Sequence, residues 1–398
     1  MKIKTGRGTI GLMVLLAIYS ISMVTSLPGL AISPILGHLE TVFKGASELR
    51  LQMLESLPSF IIVPFILIAG RLSLKVNKKN LLIIGLAIFF ICSLIYPFVR
   101  TLNLLLVISA FLGIGAGMVI PFSTGLIADY FTGAYRTRQL GIASAINNLT
   151  LVLATLLSGF LAGIDWHYSF LVYCFSGFSL FFAFFLDKKP PYLTNPQNKN
   201  SKTVPASHTA SFKWPVKLML FYYFITFLAL AVPFNLALYM QNLHIGDSDT
   251  SGTLIAVFFL AITLPGFDIN RFISLFKSYT NVFAMTAISI GFILFAFKSG
   301  LFLLTVGVIL VGLGYGIMQP VIYDKTAGRV SVSNATYALS LVMVMNYIAI
   351  ITYPFILSWI TTDTAYFPFI FSLILGAGFT VFTLFRRHTK TLGMQPME

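Results

Sequence analysis

Of the 12 Asp and Glu residues in this chain, Glu55 is the one that falls well inside an apolar segment. Glu48, Gln52, Glu55 and Ser59 recur at i, i+4, i+7 and i+11, so a helix would carry them as one polar stripe on an otherwise apolar surface. At 1.5 Å per residue, Glu55 lies ~9 Å into that helix if it begins near Leu49. A carboxylate at such a depth suits proton carriage or cation binding. The alternative is a hydrated residue at the outer rim, or one paired with Arg50.

Other chemistry is sparse. The five His, at 38, 167, 208, 244 and 388, fall in loops or at segment edges, and no acidic pair has catalytic spacing within an apolar run. Cys92 and Cys174 have no second cysteine or histidine at ligand spacing, so neither a disulfide nor a metal centre is expected, and no cofactor. These residues do not make an enzyme. What remains is uncharged polarity within apolar runs. Ser22, Ser26 and Ser33 share a stripe with Gly29, beside Thr25 and a ladder-breaking Pro28, while Pro233 is followed by Asn235, Tyr239 and Asn242. Further along lie Asn147 and Asn148, then Tyr315, Gln319 and Tyr323, then Asn346, Tyr347 and Tyr353. Each reads either as a substrate contact or as an interhelical hydrogen bond.

The segments that carry these residues are membrane spans. At 57% hydrophobic, 10% charged and a mean hydropathy of +0.90, the chain is too apolar for a soluble protein, which averages nearer ~25% charged. A helical span needs ~20 apolar residues. Twelve candidates are read at 9–36, 49–70, 80–99, 102–128, 138–162, 168–186, 216–240, 252–267, 279–297, 301–323, 335–361 and 366–385, the eighth being short and interrupted by Pro265 and Gly266. The first run is long and lacks a persuasive cleavage site, so it reads as an uncleaved helix.

One pattern occurs twice: Gly113, Gly115, Gly117 and Pro121 recur at Gly312, Gly314, Gly316 and Pro320, an offset of 199 residues in a chain of 398. Asn147 and Asn346 share that offset. A dinucleotide-binding loop is excluded by context, because Met118 and Ile317 stand where its third glycine is needed. Within apolar runs these glycines let helices approach closely. The expected fold is therefore all-α and membrane-integral, with twelve transmembrane helices in two six-helix parallel repeats, 1–187 and 215–398, joined by a polar linker at 188–214.

The net charge of +14 is topology, not a nucleic-acid site. With the N-terminus cytoplasmic, the inner segments hold 22 of the 26 Lys and Arg, and the outer segments only Lys44, Arg50, Arg100 and Lys298. Both termini and the linker are expected in the cytoplasm, with the chain in the cell membrane and no nucleic-acid partner.

Three loop signatures carry a resemblance. The segment from Gly70 to Lys79, GRLSLKVNKK, resembles the G-x-L-A-D-R-x-G-R-K loop of the major facilitator superfamily, with Leu74 in place of the acid and Asn77 in place of the second glycine. Ala128 to Phe131 followed by Arg136 and Arg138 resembles its loop between spans 4 and 5, and Trp166 to Phe170 the start of its span 6. With the twelve-span repeat, the chain is identified as a member of that superfamily over essentially its whole length, of the drug and metabolite efflux type. In general look it is similar to bacterial exporters of opine-type metallophores, a likeness tied to no specific residue. Two departures bear on drug–proton antiport: Ser109 stands where span 4 of antiporters often carries arginine, and the span 5 signature reads ATLLSG at 154–159, without its proline.

The resemblance implies alternating access around a midplane cavity bounded by spans 1, 4, 5, 7, 8, 10 and 11. Ser26, Gln52, Asn147, Asn148, Asn235, Tyr239, Tyr315, Gln319, Asn346 and Tyr347 are the candidate substrate residues, and Glu55 the candidate proton carrier. It also implies an inner gate latched by Asp129 and Asp324 with Arg71, Lys75, Arg136 and Arg138; the alternative is plain solvated loop charge. The expected activity is proton-coupled export of a small polar or amphipathic molecule by a monomer. Nutrient uptake in the same fold is the rival, and a membrane receptor is disfavoured because no soluble domain is in view.

Overall fold

The computed structural model describes residues 2–6, 8–28, 31, 39, 42–43, 48–187, 215–245, 248–297, 300–360 and 367–385. Twelve helices, numbered here in chain order, correspond to the twelve expected spans: α1 (Leu12–Val24), α2 (Glu48–Leu72), α3 (Lys78–Ile95), α4 (Leu102–Tyr130), α5 (Gly133–Ala162), α6 (Phe175–Ala183), α7 (Val216–Leu243), α8 (Ser248–Phe267), α9 (Thr280–Ala296), α10 (Leu301–Gly328), α11 (Val332–Ile360) and α12 (Phe367–Phe385). A 3₁₀ segment, Trp166–Cys174, leads into α6, and a short amphipathic helix, Ile269–Phe276, bridges α8 and α9. The linker at 188–214 lies outside the described residues. Large apolar side chains such as Leu156, Phe178, Phe302 and Trp359 are exposed on the helix surfaces, as suits contact with lipid.

The repeat appears as matched packing. In the first half α4 packs on α2 and α3, and α1 on α5 and α6; in the second α10 packs on α8 and α9, and α7 on α11 and α12. The glycines explain this. A Cβ on Gly113 would stand 2.9 Å from the Pro58 carbonyl oxygen of α2, and one on Gly115 2.8 Å from that of Gly85 in α3. Likewise a Cβ on Gly312 would stand 2.8 Å from the Phe258 oxygen of α8, and one on Gly314 2.5 Å from the Ala284 oxygen of α9. The outer glycine faces one neighbour and the middle glycine another, in both halves. The halves themselves meet along two repeat-related seams, α2 with α11 and α5 with α8.

Two features depart from the expected layout. The run read as one helix over 9–36 begins with a hairpin, β1 (Lys2–Lys4) antiparallel to β2 (Thr9–Gly11), and its helix stops at Val24. There the hydroxyls of Thr25 and Ser26 bond back to the Ser22 and Met23 carbonyls at 2.9 and 3.3 Å, and Pro28 supplies no N–H to continue the ladder. The hairpin docks on the α4–α5 turn, where the Thr132 N–H donates to the Thr5 carbonyl at 3.1 Å. The eighth span, read to 267, is one helix that absorbs Pro265 and ends at Phe267, with Gly266 packed against α5.

On the opposite side, Asp165 caps the 3₁₀ segment by accepting from the His167 N–H (2.9 Å) and pairing with its Nδ1 (2.6 Å). Those bonds hold its carboxyl below the ordinary range.

Candidate functional site

Both halves line one cavity of about 940 Å³. Its walls come from α1, α2, α4 and α5 on one side and α7, α8, α10 and α11 on the other. Of the candidate substrate residues, Ser26, Asn147, Asn148, Tyr315, Gln319, Asn346 and Tyr347 line it. Asn235 and Tyr239 lie off it: Asn235 Nδ2 donates to the Tyr353 hydroxyl at 2.6 Å, and the buried Tyr239 ring packs among Phe295 and Phe369. Both sit on α7, on the face that packs against α9, α11 and α12 rather than the one lining the cavity. The side chains of Gln52 and Glu55 lie outside the described residues, although their helical neighbours Met53, Ser56 and Ser59 line the cavity.

The floor of the cavity is a hydrogen-bonded chain that crosses between the halves. Ser144 of α5 donates to Gln319 Oε1 of α10 at 2.6 Å. Gln319 Nε2 donates to the Tyr222 hydroxyl at 3.1 Å, which pairs with that of Tyr323 at 2.7 Å. Tyr222 and Ser144 were not singled out from sequence, whereas Tyr323 was. Tyr222 and Thr226 do share an i, i+4 face of α7, which is the signal that could have found the first.

Beyond this floor, toward the end that carries the basic loops, the two halves close on each other. A Cβ on Gly141 of α5 would stand 2.5 Å from the Gly266 carbonyl oxygen of α8. Along the other seam a Cβ on Gly125 of α4 would meet Thr336 Oγ1 of α11 at 2.5 Å. Two ion pairs flank these contacts. Arg136 Nε reaches Asp324 Oδ1 at 2.7 Å across the halves, and its Nη2 donates to the Asp324 carbonyl at 3.3 Å. Lys78 Nζ reaches Asp129 at 2.7 Å and also donates to Thr336 Oγ1 at 2.8 Å, tying α3 and α4 to α11.

Arg71, Lys75 and Arg138 are exposed and form no ion pair among the described residues. Lys78 instead partners Asp129 because Asn77 caps α3, accepting from the Lys79 N–H at 2.9 Å, and so sets Lys78 in the first turn. At the other end of the cavity the lining residues Phe60, Phe234 and Phe355 are exposed. No cluster of three His, Cys, Asp or Glu that could hold a metal occurs among the described residues.

Comparison with known proteins gives the same picture. The chain is 31% identical over 138 residues to the quinolone resistance protein NorA of Staphylococcus aureus, a match covering 34% of this chain and 35% of NorA. It is 32% identical over 106 residues to multidrug resistance protein 3 of Bacillus subtilis (strain 168), covering 26% of this chain and 21% of that one. The chain thus spans about a third or less of the curated relatives it matches. Among solved structures, the human organic anion transporter MFSD10 (TETRAN) superposes with a TM-score of 0.74 at 15% identity, over 94% of this chain and 99% of that one. The proton:xylose symporter XylE gives 0.72 at 14% identity, over 95% of each chain. At such identities these structures share the fold. The profile of the Major Facilitator Superfamily matches residues 10–323, from β2 to the inner part of α10, and with two matched sets of six helices around one cavity the chain belongs to that superfamily.

Proposed function

We propose that the protein is a secondary active transporter that exports a small polar or amphipathic organic molecule across the cytoplasmic membrane by alternating access, driven by protons. The observation that carries this reading is a cavity lined by both halves and closed at one end by contacts between them. With the basic loops cytoplasmic, this is an outward-facing state. Export then requires the halves to part along α5–α8 and α2–α11, breaking the Ser144–Gln319 bond and the Arg136–Asp324 pair, and to close at the other end. The likeness to NorA supports efflux over uptake. Glu55, on the α2 stripe, is the proton carrier in this reading, and residues 1–187 and 215–398 are the moving bodies.

The test is flux in everted vesicles containing the purified chain. A pH gradient, acid inside, should drive accumulation of substrates found by a thermal-shift screen of metabolites and drugs. Accumulation only in right-side-out vesicles would favour uptake, and simple equilibration would remove the proton from the scheme.

A further inference from the structure

The two walls of the cavity differ in chemistry. The N-terminal half presents small hydroxyls and amides, such as Ser22, Thr25, Ser123 and Asn147, and the C-terminal half presents rings, such as Phe258, Phe259, Tyr315 and Tyr347. None of the described lining residues is charged.

Several polar groups of the lining are left incomplete. Ser22 is 2% exposed, and its hydroxyl has no partner among the described residues. Asn147 and Asn346, repeat-related and both facing the cavity, each engage one end of the amide within their own half: Thr25 Oγ1 lies 2.7 Å from Asn147 Oδ1, and the Tyr315 hydroxyl 3.3 Å from Asn346 Oδ1. The other end of each amide has no partner among the described residues, and neither has the Tyr347 hydroxyl.

Buried polar groups demand hydrogen-bonding partners, so whatever fills this space when both ends close must bring groups that complete them. An isolated ion enclosed here would lose its hydration with no counter-charge among the described lining residues, which costs far more than a hydrogen bond returns. The ring wall offers face and edge contacts to another flat ring. We propose, resting on the transport reading above, that the cavity takes an uncharged molecule with a flat ring system and hydrogen-bonding groups at two ends. One end is held by the free amide group of Asn147 with Ser22 nearby, the other by Asn346. The ligand thereby bridges the two halves.

Equilibrium dialysis of the purified full chain in detergent tests this with three flat probes: a neutral dihydroxyanthraquinone, the cation ethidium and the anion anthraquinone sulfonate. The neutral probe should bind at least about tenfold more tightly than either ion, and Asn147→Ala and Asn346→Ala should each weaken it about three- to tenfold. Where an alanine variant fails to fold by size exclusion and melting, Asn→Ser replaces it. Ethidium binding as tightly as the neutral probe, above all if Glu55→Gln abolishes it, overturns the proposal. So do amide variants that bind the neutral probe like the parent. The assay needs no gradient, which separates the two readings. A chain that binds the neutral probe but moves nothing in proteoliposomes keeps this inference and loses transport, whereas one that transports ions and does not bind the neutral probe does the reverse.

Discussion

Arg136 of α5 and Asp324 of α10 form the one salt bridge among the described residues that crosses directly between the halves. Asp324 is the repeat equivalent of Gly125, offset by 199 residues, and Gly125 packs on Thr336 where Asp324 meets Arg136. The two seams therefore hold equivalent places by different means, close packing with a Lys78–Thr336 hydrogen bond on one side and an ion pair between the halves on the other.

Asp324→Asn should loosen the closed end. The pair is partly exposed, at 14% and 24%, so the shift is modest, about 0.5–1 kcal/mol, or two- to fivefold in the conformational equilibrium. A cysteine at Ser144 should react correspondingly faster with an impermeant thiol reagent applied to the closed end, and exchanging Arg136 and Asp324 should restore the parent rate. An unchanged rate in Asp324→Asn would show that the seam is held by packing alone.

Asp129 is 1% exposed, so Asp129→Asn leaves the Lys78 ammonium, itself 13% exposed, without its counter-charge. Removing one partner of such a pair costs about 3–5 kcal/mol. The melting temperature in detergent should fall by several degrees, and by less when Lys78→Met is added. Equal melting of the single and double variants would argue against charge pairing as the cause.

Gly141→Leu sets a side chain against the Gly266 carbonyl, where even a Cβ is at 2.5 Å. The variant should fold, because each half is intact, but should hold the α5–α8 seam apart and lose flux. Wild-type flux would contradict the assignment of this contact to the gate.

Glu55→Gln should abolish accumulation driven by a pH gradient while leaving binding intact. In the parent, exchange of an uncharged substrate for a proton moves net charge, so an imposed potential at equal pH should also drive flux, at about 2.3 kcal/mol per charge per 100 mV. Flux indifferent to potential would exclude that stoichiometry, and an undiminished pH response in Glu55→Gln would exclude this carboxylate.

Orientation can be read with cysteines at Lys277 and Arg100, both exposed and on opposite sides. An impermeant reagent outside intact cells should label position 100 and spare 277, and the reverse pattern would invert the topology.

What was legible in the sequence was periodic or repeated. The glycine pattern at 113–117 and 312–316 gave the duplication and the close-packed helices, and the shared offset of Asn147 and Asn346 placed both at the cavity. Helical periodicity alone could not say that Tyr239 and Asn235 turn toward helix packing, since both faces of α7 carry polar residues. The Lys78–Asp129 and Ser144–Gln319 pairs join segments 51 and 175 residues apart, and which cation or hydroxyl meets which partner depends on helix rotation and cap position. The hairpin over Lys2–Gly11 was hidden because β2 shares an apolar run with α1.

The backbone-to-backbone contact of Gly141 with Gly266 also bears on speed. A seam closed by long side chains must freeze rotamers each time it forms, at up to about 2 kcal/mol for the longest residues, and must find them again on the next cycle. Two glycines have no side-chain torsion to lose. In the cycle proposed above, the two glycines would part and re-form contact with no rotamers of their own to search, whereas the partners of the Ser144–Gln319 bond and of the Arg136–Asp324 pair must reorient before contact is remade.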